Sequence, residues 1–131
     1  LLSLCDYITP NETETEALTG ISVSSVSDAQ KASDELHKMG VKTPIITLGE
    51  KGAFLHGYGL IDSFKIAPVV ETTGAGDAFN GAFAAALSEG QPPLEAVTFG
   101  CATAGISVTR AGTAPSMPIR SEVEKILATR L

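Results

Sequence analysis

The chain has 131 residues, 44% hydrophobic and 18% charged, a balance that fits one folded domain and excludes a disordered tail or a collagen-like fibre. Nine Lys and Arg stand against 15 Asp and Glu, a net charge of −6. That sign is wrong for tracking a polyanionic backbone or an anionic bilayer, so no nucleic-acid or membrane partner is expected. Cys5 and Cys101 lie far apart and belong to no CxxC or Cys/His spacing, which predicts neither a disulfide framework nor a structural zinc site. A reducing, cytoplasmic setting fits best. The longest small-apolar run, Ala82 to Leu87, is too short to span a bilayer, and the first residues do not read as an export signal.

In chain order, Leu1 to Ile8 reads as a buried strand approach and, with no starting Met, as the inside of a longer protein. Asn11, with Glu14 three positions on, predicts a capped helix over 12–19 that Gly20 stops. Ser27 to Gln30 is a second capping-box pattern. Ala29, Ala32, Leu36 and Met39 then recur at helical spacing until Gly40, which predicts an amphipathic surface helix. Pro44 to Leu48 reads as a buried strand, Gly49 to Gly52 as a turn and Ala53 to His56 as the returning strand of a hairpin. His37 and His56 read as a surface and a strand residue. Leu60 to Ile66 predicts another strand, continued past Pro68 by Val69 and Val70. The run of small and apolar residues from Gly76 to Leu87 predicts a helix buried on most sides. Leu94, Val97, Cys101, Ala104, Gly105 and Val108 continue a helical period, and Ile119, Val123, Ile126 and Leu127 define a last helix after Pro118. Strands interleaved with helices, followed by a helical tail, argue for an α/β layered domain.

The stretch from Glu71 to Gly81 carries the most chemistry, because it sets a glycine-rich turn between a strand and the start of a helix. Free backbone N–H groups and the positive end of the helix dipole converge at such a place, and glycines let an anion approach the backbone. Asp77, in the first turn, would repel a bound phosphate unless it has another task. Accepting a proton from an attacking hydroxyl is such a task. No GxxxxGK[ST] occurs, so the turn is not a P-loop, and Phe79 stands where the dinucleotide fingerprint needs its third small residue. Spacing alone leaves a plainer reading open, in which Gly74 and Gly76 only make a tight turn and Asp77 only favours the helix start.

The same segment, Glu71 to Gly81, resembles the carboxy-terminal signature of the ribokinase-like, or carbohydrate kinase, superfamily, a pattern written D-T-x-G-A-G-D-x-F. Further collinear matches cover essentially the whole chain: Thr9 to Glu14, Leu18 to Gly20, Ile46 to Gly49, Val108 to Arg110 with Gly112, and Pro115-Ser116 with Pro118. The resemblance implies a Rossmann-like layered α/β fold, with residues 1–131 as its carboxy-terminal, nucleotide-binding portion and the sugar-binding and lid regions outside it. It implies transfer of the ATP γ-phosphoryl group to a primary hydroxyl of a ribose-like sugar, and a homodimer formed through the lid.

By position, the resemblance makes Asp77 the catalytic base and Gly74, Ala75, Gly76 and Asp77 the anion hole. Thr47, Gly49 and Gly52 match the segment beside the nucleotide, and Cys101 falls near the adenine, where packing is its plainer role. Asn11 and Glu14 match a motif that organises Mg²⁺ through water, although N-x-x-E is equally a capping box. Glu71, Thr73, Ser107, Arg110, Gly112 and Ser116 match a monovalent-cation site, for potassium. Position 71 departs from the pattern: Glu replaces Asp and adds a methylene where hard oxygen ligands set the distances, which counts against potassium dependence. Two other readings share these motifs, a noncatalytic nucleotide-binding module and a related sugar or nucleoside kinase.

Overall fold

Strand alternation and helix caps place the first half of the chain. The computed structural model describes residues 6–64, 74–109 and 120–128. The chain divides into two units, residues 1–61 and 62–131. In the first, strand β1 (Tyr7–Ile8) leads into helix α1 (Glu12–Thr19), then α2 (Val26–Lys38), β2 (Thr43–Thr47), a single 3₁₀ turn (Gly49–Lys51) and β3 (Gly52–Leu55). β4 (Gly59–Asp62) completes a four-stranded sheet in the order β1-β2-β3-β4. β1 and β2 are parallel, with Tyr7 opposite Thr43 and Ile8 opposite Pro44, because two helices intervene and return the chain to the same end. β2 and β3 form the expected hairpin, antiparallel with Ile45 opposite Leu55, Ile46 opposite Phe54 and Thr47 opposite Ala53. The sheet is therefore mixed, and β4 is shorter than the strand predicted from Leu60, whose continuation at Val69 and Val70 lies outside the described residues.

α1 runs over the predicted residues. Asn11 caps it and Gly20, at φ 76°, closes it in the left-handed conformation that glycine adopts without strain. α2 begins two residues before the expected start, because Ser25 rather than Ser27 is its cap. The Ser25 hydroxyl accepts from the Asp28 N–H at 3.1 Å, while Asp28 Oδ2 accepts from the N–H and hydroxyl of Ser24 at 3.1 and 2.9 Å. Those bonds from Ser24 hold the Asp28 carboxyl below the usual carboxylate range. The buried stripe of α2 is Ala29, Ala32, Ser33 and Leu36; Met39, expected on it, is the exposed C-cap. Ala29, Ala32 and Leu36 of this stripe pack with Val23, Ile46, Leu48 and Phe54 into one apolar cluster. Burying each of its large apolar side chains, the leucines, isoleucine, valine and phenylalanine, stabilises the unit by about 1.5–3 kcal/mol.

The second unit contains α3 (Ala75–Ser88), α4 (Pro93–Ser107) and α5 (Arg120–Ala128). α3 was expected to be buried on most sides. Among the described residues it buries one stripe, Ala78, Phe79, Ala82, Phe83 and Ala86, and exposes Asp77, Asn80, Gly81, Ala84 and Ala85. The enclosed helix is α4, with ten of its 15 residues buried. Two glycines let it come close to its neighbours: a Cβ on Gly100 would lie 2.8 Å from the Phe79 ring, and one on Gly105 would lie 2.5 Å from the Phe64 carbonyl oxygen. Phe64 can yield only by moving backbone, so Gly105→Val is expected to destabilise the protein by about 1–3 kcal/mol, read as a lower denaturant midpoint at unchanged slope. In α5 Val123 is buried as predicted, and Ile119 lies outside the described residues. No helix among the described residues is long and apolar enough to cross a membrane.

Candidate functional site

Each unit contributes one cluster of the residues singled out by sequence. In the first, Asn11 and Glu14 form a complete capping box: Asn11 Oδ1 accepts from the Glu14 N–H at 2.8 Å, and Glu14 Oε1 accepts from the Asn11 N–H at 2.9 Å. Both residues are exposed. The capping role, open on sequence grounds, is thus filled, and it engages only one carboxylate oxygen of Glu14. Thr47 ends β2 beside this box, its N–H donating to the Pro10 carbonyl at 2.9 Å and its hydroxyl reaching the same oxygen at 3.4 Å. The Thr15 hydroxyl donates to the next carbonyl, that of Asn11, at 2.7 Å. Consecutive carbonyls at Pro10 and Asn11 are therefore both held, which fixes the box at the carboxyl end of the parallel β1–β2 pair. Crevices at the carboxyl ends of parallel strands are where open α/β sheets bind ligands.

Gly49 and Gly52 frame the turn that follows Thr47, at φ 58° and 116°, values that L side chains rarely adopt. The Leu48 N–H donates to the Gly52 carbonyl at 2.8 Å and the Lys51 N–H to the Leu48 carbonyl at 3.1 Å, so the turn is tight and its backbone exact in course. Asn11, Glu14, Thr47, Gly49 and Gly52 are thus brought to one end of the sheet. Pro10 was given no role by the sequence reading; its buried carbonyl joins two parts of this cluster, a function that no side-chain pattern signals.

In the second unit, Gly74 is the N-cap of α3 at φ 90° and supplies no side chain to cap it, unlike Asn11 on α1 and Ser25 on α2. Ala75, Gly76 and Asp77 make the first turn, and Gly76 and Asp77 are exposed. A Cβ on Gly76 would meet nothing within 4 Å, so packing among the described residues does not demand glycine there. The turn has what an anion needs: an N-terminus without a capping side chain, the helix dipole and an open approach. Cys101 is buried on α4, as its packing role predicts, and Ser107 is buried in the last turn of that helix. Glu71, Thr73, Arg110, Gly112 and Ser116, expected at the monovalent-cation site, lie outside the described residues.

Among the described residues no group of three or more His, Cys, Asp or Glu side chains could hold a metal directly. The donor chemistry of Asn11 and Glu14, one amide oxygen and one carboxylate with a second oxygen outside the cap, suits a cation that keeps most of its water, as Mg²⁺ does.

Residues 1–120 match the model of the pfkB family carbohydrate kinases. Over 130 residues the chain is 47% identical to the ribokinase of Haemophilus influenzae, covering 97% of this chain and 42% of that protein. It is 42% identical to the ribokinase of Arabidopsis thaliana, covering 35% of that protein. Its fold superposes on a structure of Arabidopsis ribokinase complexed with ribose and ATP, with a TM-score of 0.90 at 40% identity over 97% of this chain and 42% of that one. Phosphofructokinase-2 of Escherichia coli in complex with potassium gives 0.82 at 27% identity, over 98% of this chain and 42% of that one. An α/β fold with this helix start and these relatives defines the class: the chain belongs to the pfkB family of carbohydrate kinases. It spans about two fifths of the length of the relatives it matches.

Proposed function

We propose that the chain is the carboxy-terminal, nucleotide-side portion of an ATP-dependent sugar kinase that phosphorylates a primary hydroxyl of a ribose-like sugar. The observation that carries this reading is the glycine start of α3, which has no capping side chain and bears the exposed Asp77. Its support is the 47% identity to a ribokinase. Phosphoryl transfer leaves the protein little covalent chemistry to do, so the rate rests on positioning and on stabilising charge. The backbone N–H groups of Gly74 to Asp77 would face the charge of the transferring group. Asp77, with no anion of its own to bind, would take the proton of the attacking hydroxyl as the new O–P bond forms. Thr47, Gly49 and Gly52 would line the nucleotide, with Cys101 packed near the base. Asn11 and Glu14 would hold Mg²⁺ through water; the cation would neutralise phosphate charge. The full protein would act in the cytoplasm as a homodimer.

Assaying the full-length protein with MgATP and ribose, fructose and adenosine in turn tests this reading. Turnover of ribose to a 5-phosphate is expected; failure with all three acceptors overturns it. The cation site is tested separately. Glu71 adds a methylene to a hard-oxygen site, so replacing potassium by a large organic cation is expected to change the rate little. Glu71→Asp is expected to introduce or strengthen potassium activation. Strong activation of the unmodified enzyme by potassium would show that Glu71 is tolerated at that site.

A further inference from the structure

Two histidines absorbed by neither cluster meet in the first unit. His37, exposed in the last turn of α2, and His56, in the turn after β3, stack with ring centroids 4.5 Å apart and planes 25° from parallel. Each ring is fixed through Nδ1. His37 Nδ1 donates to the Val41 carbonyl at 2.9 Å, because a carbonyl can only accept. His56 Nδ1 bonds the hydroxyl of Ser33, which is fully buried on α2. The His56 side chain is 19% exposed, and its backbone N–H donates to the Pro44 carbonyl of β2 at 3.0 Å.

We propose that His56, His37, Ser33 and Asp34 form a proton-operated latch, which holds α2 to the turn between β3 and β4 while His56 is neutral and releases it in acid. On this proposal the neutral His56 ring carries its proton on Nε2, so that Nδ1 accepts the Ser33 hydroxyl proton. Protonation makes Nδ1 a donor and reverses that bond inside a buried site, where the serine proton then needs a new acceptor. The charged and titratable groups facing His56 both come from α2. Stacked His37 opposes a second positive charge, whereas Asp34, with Oδ1 3.9 Å from Nδ1, favours it. β2 presents the Pro44 carbonyl, and the turn itself adds the glycine Gly57 and the exposed Tyr58.

Burial first, and then the neighbouring His37, hold the His56 imidazole below its ordinary value of 6.5. The sign follows from linkage: the unfolded chain binds this proton more readily than the folded one. The latch therefore contributes fully above pH 6.5 and is lost as pH falls through the lower folded value. α2 is about 20 Å long, and at its other end the Lys51 Nζ, in the Gly49–Gly52 turn, lies 3.5 Å from the Ser24 carbonyl oxygen.

The test is a pH titration of the full-length protein labelled with ¹³C in the histidine rings, with His37→Gln and His56→Gln to assign the signals. His56 is expected to titrate below 6.5, and to move upward in His37→Gln, whose exposed position preserves folding. Amide protection at Met39 to Val41 and at His56 and Tyr58, corrected for intrinsic exchange, is expected to fall at least tenfold between pH 7.5 and pH 5. That pH step is expected to vanish in His56→Gln. His56 titrating at or above 6.5 in the unmodified protein, or a protection step that persists in His56→Gln, overturns the latch. The protection step is read in the unmodified protein, where its absence at Met39 to Val41 and at Tyr58 also overturns the latch, so a variant that fails to fold leaves the proposal falsifiable.

Discussion

Asp77→Asn in the full-length protein is expected to lower kcat by about 10²–10⁴, roughly 3–5 kcal/mol of barrier, with ATP affinity nearly unchanged. The asparagine keeps the shape of the side chain and stands at the exposed first turn of α3, where the fold loses only a favourable charge at a helix N-terminus. That loss is about 0.3–1 kcal/mol. On the proposed reading it removes the acceptor for the hydroxyl proton, needed as the acceptor oxygen bonds to phosphorus and not before. The effect belongs in kcat, with the KM for ATP as the internal control. A variant that keeps most of its kcat would remove Asp77 from the mechanism and leave it the plainer role of favouring the helix start.

The 131 residues assayed alone are expected to give no measurable sugar phosphorylation. They amount to 42% of the length of the Haemophilus ribokinase they match. On the proposed reading the sugar contacts and the lid lie in the remainder. Holding two reactants in line supplies on the order of 7–11 kcal/mol of a barrier, and closure excludes the water that would compete as acceptor. Losing that term buries the rate in background. Partial ATP binding is expected to survive, because the glycine start of α3 and the Thr47–Gly52 turn are both present. Calorimetry with ATP, beside a phosphoryl-transfer assay with ribose, fructose and adenosine, separates the two outcomes. Turnover with any acceptor would show these residues to be a complete enzyme.

Local signals carried the parts of the fold that are locally decided. The Asn11–Glu14 spacing and Gly20 located α1 to the residue, because a cap and a left-handed stop are chemistry within one turn of helix. The β2–β3 hairpin was legible for the same reason: glycines with positive φ flank a short turn between two apolar runs. The start of α2 was not, since Ser24, Ser25 and Ser27 offer nearly identical hydroxyls. The bond network at Asp28 chose Ser25.

The enclosure of α4 in place of α3 has a different cause. Alanine and glycine carry almost no hydrophobic contrast, so a run of them reads the same on a buried as on an exposed face. Close approach at Gly100 and Gly105 settled which helix is enclosed, and that depends on Phe79 and Phe64, far away in sequence. The His37–His56 pair is likewise invisible in sequence, because its members are joined only when the turn after β3 comes beside the end of α2. By itself the sequence determined the family, the helix caps, the hairpin and the glycine turn that carries Asp77, all of them properties of neighbouring residues. Only the tertiary structure decided that Pro10 joins the Asn11–Glu14 box to Thr47, that α4 is the enclosed helix and that two histidines share one environment. Each of these is a contact between segments whose meeting is set by the burial of apolar surface rather than by local preference.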